Sequence, residues 1–397
     1  AGHHGHVLAV LAGKLDLRAM DAIVVNVDVE ADEVTFSSNA SGDSPKDSVQ
    51  LGGGITVKAV SGDVKIVSGY GFAVGDDVSI ISENGSIIAA ANWIDIAGTL
   101  DAAVAVKLNG TGAGDSVALG GTLNAPLLLI DGGAGDDSLA VSGTVMVDSF
   151  ELDGGSGSDV VLIAGTVTTQ TFAIDGGEGQ DSVRLFDSAS VAGSTSIALG
   201  LGAGDDSLGL SGQFTAPQII VDGGEGKDQV IADGALDASG AGGNRIDFTL
   251  GAGDDSVVIS GSLKAPTVSI NGGDGNDAIK LFSVEENPTG MGALPPLPVG
   301  QADAAAFSFG LLTITSDTLL EFDLGEGDDL LSLSGTYSAP DVSIDGGLGN
   351  DTVMTYSNLS IAAASRLDIL LGDGDDILLA SGSLSAPTVT IDGQGGA

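Results

Sequence analysis

Along this chain apolar residues alternate with polar ones in short runs and nowhere recur at helical spacing. Ser207-Leu-Gly-Leu210, Ser256-Val-Val-Ile259 and Thr267-Val-Ser-Ile270 each send every second side chain to one side, the period of a strand with one buried face. The runs are separated by clusters of Gly, Asp and Ser, residues that favour turns. No stretch combines a 3.6-residue period with helix caps, so the pattern predicts an all-β protein.

The turns repeat. A segment reading G-G-x-G-x-D occurs as Asp153-Gly-Gly-Ser-Gly-Ser-Asp159, Asp175-Gly-Gly-Glu-Gly-Gln-Asp181, Asp222-Gly-Gly-Glu-Gly-Lys-Asp228, Asn271-Gly-Gly-Asp-Gly-Asn-Asp277 and Asp345-Gly-Gly-Leu-Gly-Asn-Asp351. A sister form, G-x-G-D-D, closes on Asp206, Asp255, Asp329 and Asp376, and Asp137 closes a hybrid of the two. From Asp137 to Asp376 the closing aspartates are spaced by 22, 22, 25, 22, 27, 22, 52, 22 and 25 residues. A unit of about 22 residues cannot bury its own apolar face, so stacked units must bury it together.

Each unit reads as two strand-like runs and two turns. The fold expected is therefore a parallel β-helix or β-roll solenoid with about 22 residues per coil, some eighteen coils in all, and Gly-Asp turns along one edge. Pro126, Pro217, Pro266, Pro340 and Pro387 each precede a run, where a missing N–H is tolerated. Residues 1–109 carry the pattern weakly, with Gly75-Asp76-Asp77 as a degenerate turn, and are expected to form a degenerate solenoid segment. Residues 110–397 form the repeat solenoid, interrupted over 284–306 by a segment containing Pro295-Pro296-Leu-Pro298 that predicts a projecting loop. The chain starts at Ala1 and stops at Gly395-Gly396-Ala397 within the repeat motif, which suggests a piece of something longer.

Charge narrows the partners. Lys and Arg number 12 against 55 Asp and Glu, for a formal charge of -43. Such a chain repels phosphate backbones and anionic lipid surfaces, which argues against nucleic acid and membrane partners and favours cations. No run approaches the roughly 18 apolar residues of a membrane span. With 43% hydrophobic residues the composition is that of a folding chain, and the absence of Cys removes disulfides and thiolate chemistry.

Glycines in such turns allow positive φ and expose carbonyl oxygens, and the closing carboxylate adds negative charge, a hard oxygen set suited to calcium. The chain here resembles the RTX family, the calcium β-roll repeats of bacterial secreted and surface proteins, whose nonapeptide is G-G-x-G-x-D-x-U-x with U large and apolar. The position two after the closing Asp is Leu139, Val161, Val183, Leu208, Val230, Val257, Ile279, Leu331, Val353 and Leu378, apolar each time. Over roughly residues 110–397 the resemblance implies several calcium ions, about one per turn, with ligands at Asp137, Asp159, Asp181, Asp206, Asp228, Asp255, Asp277, Asp329, Asp351 and Asp376. The preceding aspartates Asp136, Asp205, Asp254, Asp328 and Asp375 are further candidates, as is Asp115, whose turn ends on Ser116. RTX repeats place two such turns in each coil, whereas here one recurs per 22 residues, so calcium is expected on one edge only. In the G-x-G-D-D units Leu201, Leu250, Leu324 and Leu371 replace the first Gly, which predicts weaker sites or use of the extra Asp. Tight turns also favour Gly and Asp without metal. Against that, unneutralised aspartates stacked a strand apart would repel one another, and ten divalent ions would bring the formal charge of -43 to about -23.

Catalysis finds little support. His3, His4 and His6 are the only histidines, leaving no imidazole base in the repeats. Paired carboxylates such as Asp205-Asp206 recur at many coils, as ligand ladders do and active sites do not. Arg184 and Lys280, at equivalent places, and Arg245 and Arg366, each ahead of a G-D-D unit, read as surface ion pairs rather than a lyase base. Thr does not recur at one position in each coil, which argues against an ice-binding face, and Trp93 reads as a core or cap residue. The function expected is a non-enzymatic, secreted, calcium-dependent structural or adhesive protein of a bacterial cell surface: a surface layer, filament or adhesin stalk that self-associates or binds surface or matrix partners. The alternatives are a non-catalytic calcium-folding module of a larger secreted enzyme or toxin, and a polysaccharide lyase.

Overall fold

The computed structural model describes residues 9–38, 47–112, 114–186, 188–239, 244–281, 313–355, 360–362, 366–380, 386–393 and 395. The 284–306 segment and the three histidines lie outside them. The described residues are all-β, and every strand pairing is parallel. None of them forms a helix long and apolar enough to cross a membrane. The chain makes a β-solenoid of about 14 turns with about 22 residues per turn. The eighteen coils expected from dividing length by period are too many, because insertions such as the 52-residue spacing lengthen single coils. Two compact units divide the chain, residues 1–177 and 178–397.

In the first unit the strands Gly71–Val74, Trp93–Ile96, Ser116–Leu119, Ser138–Val141 and Val160–Ile163 stack in register, giving an inward column Phe72, Ile94, Val117, Leu139 and Val161 that is closed to solvent. In the second unit the same position is Val183, Leu208, Val230, Val257, Ile279, Leu331, Val353 and Leu378. The apolar position two after the closing Asp is thus the rung of a core ladder, with only Leu378 in the last coil half-buried. A fully buried side chain of this kind contributes about 1.5–3 kcal/mol relative to exposure. Phe150 and Phe172 continue the principle on another side of the coil, with ring centroids 4.6 Å apart and planes at 18°.

Each coil holds three strand runs rather than two. In the strand Thr122–Ala134 the alternation of buried and exposed residues resets at Pro126, where Ala125 pairs with Val147 and Leu127 with Ser149. In the second unit the bend separates Gln213–Thr215 from Gln218–Glu225. The run between the Ser-Gly and Ala-Pro signals is only three or four residues long, with inward residues such as Leu123, Phe214 and Leu263, and this brevity hid it within a turn. The prolines sit at the corner after it.

Other expectations change with the register. Gly75-Asp76-Asp77 lies at the corner after the first run, leading into Ser79–Ser82, and not on the edge of the Gly-Asp turns. Asp115 aligns with Asp137, since Ser116 pairs with Ser138, so its turn closes on Asp115 and not on Ser116. Trp93 is 39% exposed, outside the core, with its ring over Gly71. Thr99, Thr122, Thr144 and Thr166 do form one column in the first unit, a recurrence confined to four successive coils.

Candidate metal-binding corner

The corner that joins the third run of one coil to the first run of the next carries the Gly-Asp turns. In the turns that close on Asp137 to Asp351 the second and third glycines adopt the left-handed region, Gly133 at φ 97° and Gly135 at 113°, Gly224 at 100° and Gly226 at 120°, which only glycine enters without strain. The first glycine does not. Its lack of a side chain serves close approach: a Cβ on Gly132 would lie 2.5 Å from the carbonyl oxygen of Gly154 in the next coil and 2.6 Å from Oδ2 of Asp137.

The closing aspartates point inward. Asp115, Asp137, Asp159, Asp181, Asp206, Asp228, Asp255, Asp277, Asp329 and Asp351 are all at least 96% buried, and Asp376 in the last turn is half-buried. Their backbones and carboxylates form a chain of hydrogen bonds from coil to coil. The Asp137 N–H donates to Oδ1 of Asp159 at 2.7 Å, Asp206 to Asp228 at 2.9 Å, Asp228 to Asp255 at 2.7 Å, Asp277 to Asp329 at 2.6 Å and Asp351 to Asp376 at 2.9 Å. That bond uses one oxygen of each carboxylate. The other, Oδ2 of Asp137, Asp206, Asp228, Asp255, Asp277, Asp329 and Asp351, is buried with no hydrogen-bond partner. A buried polar atom left unpaired costs about 1–3 kcal/mol, and more when charged.

Burial accordingly pushes these carboxyls up. Asp159, Asp206, Asp255, Asp277 and Asp351 rise to about 6 and Asp228 and Asp329 to about 7, with the preceding coil's N–H opposing the shift in each case. Asp115 and Asp137 shift in the same direction for the same cause. Seven of these carboxyls thus sit near neutrality in their affinity for a proton, and a divalent cation would supply the same missing charge.

Asp136, Asp205, Asp254, Asp328 and Asp375 form a separate, exposed rim. Oδ1 of Asp136 accepts from the Ser158 N–H, that of Asp205 from Lys227, that of Asp254 from Asn276 and that of Asp328 from Asn350, each in the next coil. The Asp375 N–H in turn donates to Asn350 Oδ1. The Asn276 bonds hold the Asp254 carboxyl below its ordinary value. The Asp136, Asp205, Asp254 and Asp328 carboxylates cap amides on the rim, apart from the buried column.

Two features escaped the sequence reading. The leading aspartates Asp131, Asp153 and Asp175 form a third acidic column in the first unit, where burial and the neighbouring Asp175 and Asp131 raise Asp153. Their place before each Gly-Gly pair was the available signal. Asp47 occupies the closing position two coils ahead of Asn92 and is also buried; no Gly-Asp motif marks it. Among the described residues no three acidic or His side chains converge on one point. A cation at this corner would therefore rest on carboxylates of adjacent coils and on turn carbonyls, with water to complete the shell, which fits the six to eight oxygens of calcium better than an all-carboxylate cage.

Arg245 and Arg366 make surface ion pairs, to Asp247 at 2.7 Å and Asp368 at 2.5 Å. Lys280 is half-buried, while Arg184, at the equivalent place, is buried and held below its ordinary pKa by burial. Fold and corner together define the class, a parallel β-solenoid with an inward ladder of carboxylates. Comparison with family models, with curated proteins and with solved structures returned no match.

Proposed function

We propose that the buried aspartate ladder binds calcium and that the chain is a secreted, calcium-dependent structural or adhesive protein of a bacterial cell surface, with no catalytic role. One observation carries the calcium reading: at coil after coil a carboxylate oxygen is held out of water with nothing to bond. Calcium accepts such oxygens without the proton that would otherwise have to neutralise them. The RTX-like motif supports the same ion, and a -43 chain of stacked repeats suits a structural element whose rigidity depends on bound cations.

The test is a calcium titration of chelator-treated protein, followed by circular dichroism and by calorimetric stoichiometry, with magnesium as control. Several calcium ions bound per chain with a gain of β signal is the expected result. No binding and an unchanged spectrum would leave the turns as structure alone and remove the calcium reading.

A further inference from the structure

The first residue of the turn differs between the two units in a way that bears on how many cations the ladder holds. In the first unit it is glycine in each coil from Gly110: Gly110, Gly132, Gly154 and Gly176. At the first three, the space of the missing Cβ is shared by two oxygens, the main-chain carbonyl of the next coil's first turn residue and Oδ2 of its own closing aspartate. The pairs are Gly132 O with Asp115, Gly154 O with Asp137, and Gly176 O with Asp159. In the second unit glycine and leucine alternate along the column as Leu201, Gly223, Leu250, Gly272, Leu324, Gly346 and Leu371. The glycines keep the same arrangement, Leu250 O with Asp228, Leu324 O with Asp277, and Leu371 O with Asp351, the carboxylate oxygens lying 2.9, 2.6 and 2.7 Å from the absent Cβ. The leucines have a Cβ in that space and a side chain turned into the core, fully buried at Leu201, Leu250 and Leu324. Leucine is tolerated because this position, unlike the two glycines after it, does not need positive φ.

We infer that only turns opening with glycine hold a cation, one per coil in the first unit and one per two coils in the second. The inference rests on the calcium reading above. Its sites are Gly110, Gly132, Gly154, Gly176, Gly223, Gly272 and Gly346 with the aspartate that closes each turn. The Asp137, Asp228, Asp277 and Asp351 carboxylates aimed into them are each at least 98% buried with Oδ2 unpaired. In the second unit one divalent ion then lies beside two successive closing aspartates, such as Asp228 and Asp255, which the 2.7 Å N–H to Oδ1 bond already links. A ladder with one site per closing aspartate would instead hold about ten.

Equilibrium dialysis of the full chain against calcium, with the bound metal counted by atomic absorption, tests this. The expected count is seven, one for each glycine-first turn. Gly272→Ala should lose one ion, and Leu250→Gly, which opens the space between the Gly272 carbonyl and Asp255, should gain one, each with β circular dichroism retained in calcium. Gly223→Ala repeats the loss at an independent turn if either variant fails to fold. A count of nine to eleven, or counts that the alanine variants leave unchanged, would overturn the inference while leaving the calcium reading in place. No binding at all would remove both.

Discussion

The same corner of the first unit is closed in two ways. Where Asp115, Asp137 and Asp159 stand in the later coils, the two preceding coils carry Asn92 and Tyr70. At those two coils no carboxylate closes the turn, and hydrogen bonds hold the corner. Ser38 donates to Ser68 at 2.9 Å, Ser68 donates to the Asp47 carbonyl at 2.7 Å and accepts from the Gly71 N–H at 3.1 Å, and Thr111 donates to Asn92 Oδ1 at 2.6 Å. From Asp115 on, the strands, register and core rungs are unchanged, yet the corners bury carboxylates, and at Asp115 and Asp137 one oxygen of each has no hydrogen-bond partner. The solenoid evidently does not need those carboxylates to turn its corner. What they add is an electrostatic demand that the strands do not meet, and this separates a ligand ladder from turn-forming residues.

Calcium removal should break the comparison most visibly. At neutral pH a chelator is expected to cost the Asp-closed coils most of their hydrogen-exchange protection, including the amides of Asp137 and Asp206, while Ser68 and Trp93 stay protected. Equal loss at both kinds of corner would show that the carboxylates are not what calcium acts on.

Next in size is the pH dependence of the calcium-free protein. The closing aspartates are raised in the folded state, to about 6 for Asp159, Asp206, Asp255, Asp277 and Asp351 and about 7 for Asp228 and Asp329, against 3.8. The folded state therefore holds more protons than the unfolded one between pH 4 and 7, and stability falls as pH rises through that window. Thermal melts in chelator should show the melting temperature dropping from pH 4.5 to pH 7.5, and calcium at pH 7.5 should reverse the drop. A melting temperature that climbs with pH would contradict the buried, unpaired state of these groups.

Asp228→Asn sharpens the contrast at one rung. It removes the charge and keeps the size, so in chelator at neutral pH it should stabilise by about 1–3 kcal/mol, and in saturating calcium it should destabilise by a similar amount. Denaturant melts under the two conditions measure the reversal; the same sign in both would count against a ligand role.

The smallest effect belongs to the corner without a closing carboxylate. Ser68→Ala leaves the Gly71 N–H and the Asp47 carbonyl without that partner and should cost about 1–2 kcal/mol, equally with and without calcium and at either pH. A calcium-dependent cost would mean that the two corners are coupled.

Much of this was legible in one dimension. The recurrence of Gly-x-Asp turns at 22-residue spacing, with an apolar residue two positions after each closing aspartate, predicted parallel coils, and residues such as Leu139 and Val257 are core rungs. The third run was not legible, because a three-residue strand such as Gln213–Thr215 is too short to show alternation. Nor was the division of labour within Asp205-Asp206, where one carboxylate caps an amide on the rim and its neighbour is buried, since both stand in the turn ahead of the strand Ser207–Leu210, where no alternation marks the inward side. The alignment of Asp115 with Asp137 was settled by register, because its turn lacks the Gly-Gly pair and the Gly-Asp-Asp ending that mark the others.

By itself the sequence determined the period, the all-β class and the positions at which glycine is required, because these follow from local sterics and from the alternation of apolar residues. Which acidic groups share a column, which of them leave water, and where a leucine stands in place of a glycine beside a neighbour's carbonyl were decided only by the stacking of coils. Those relations join residues 22 to 52 positions apart that no local pattern connects.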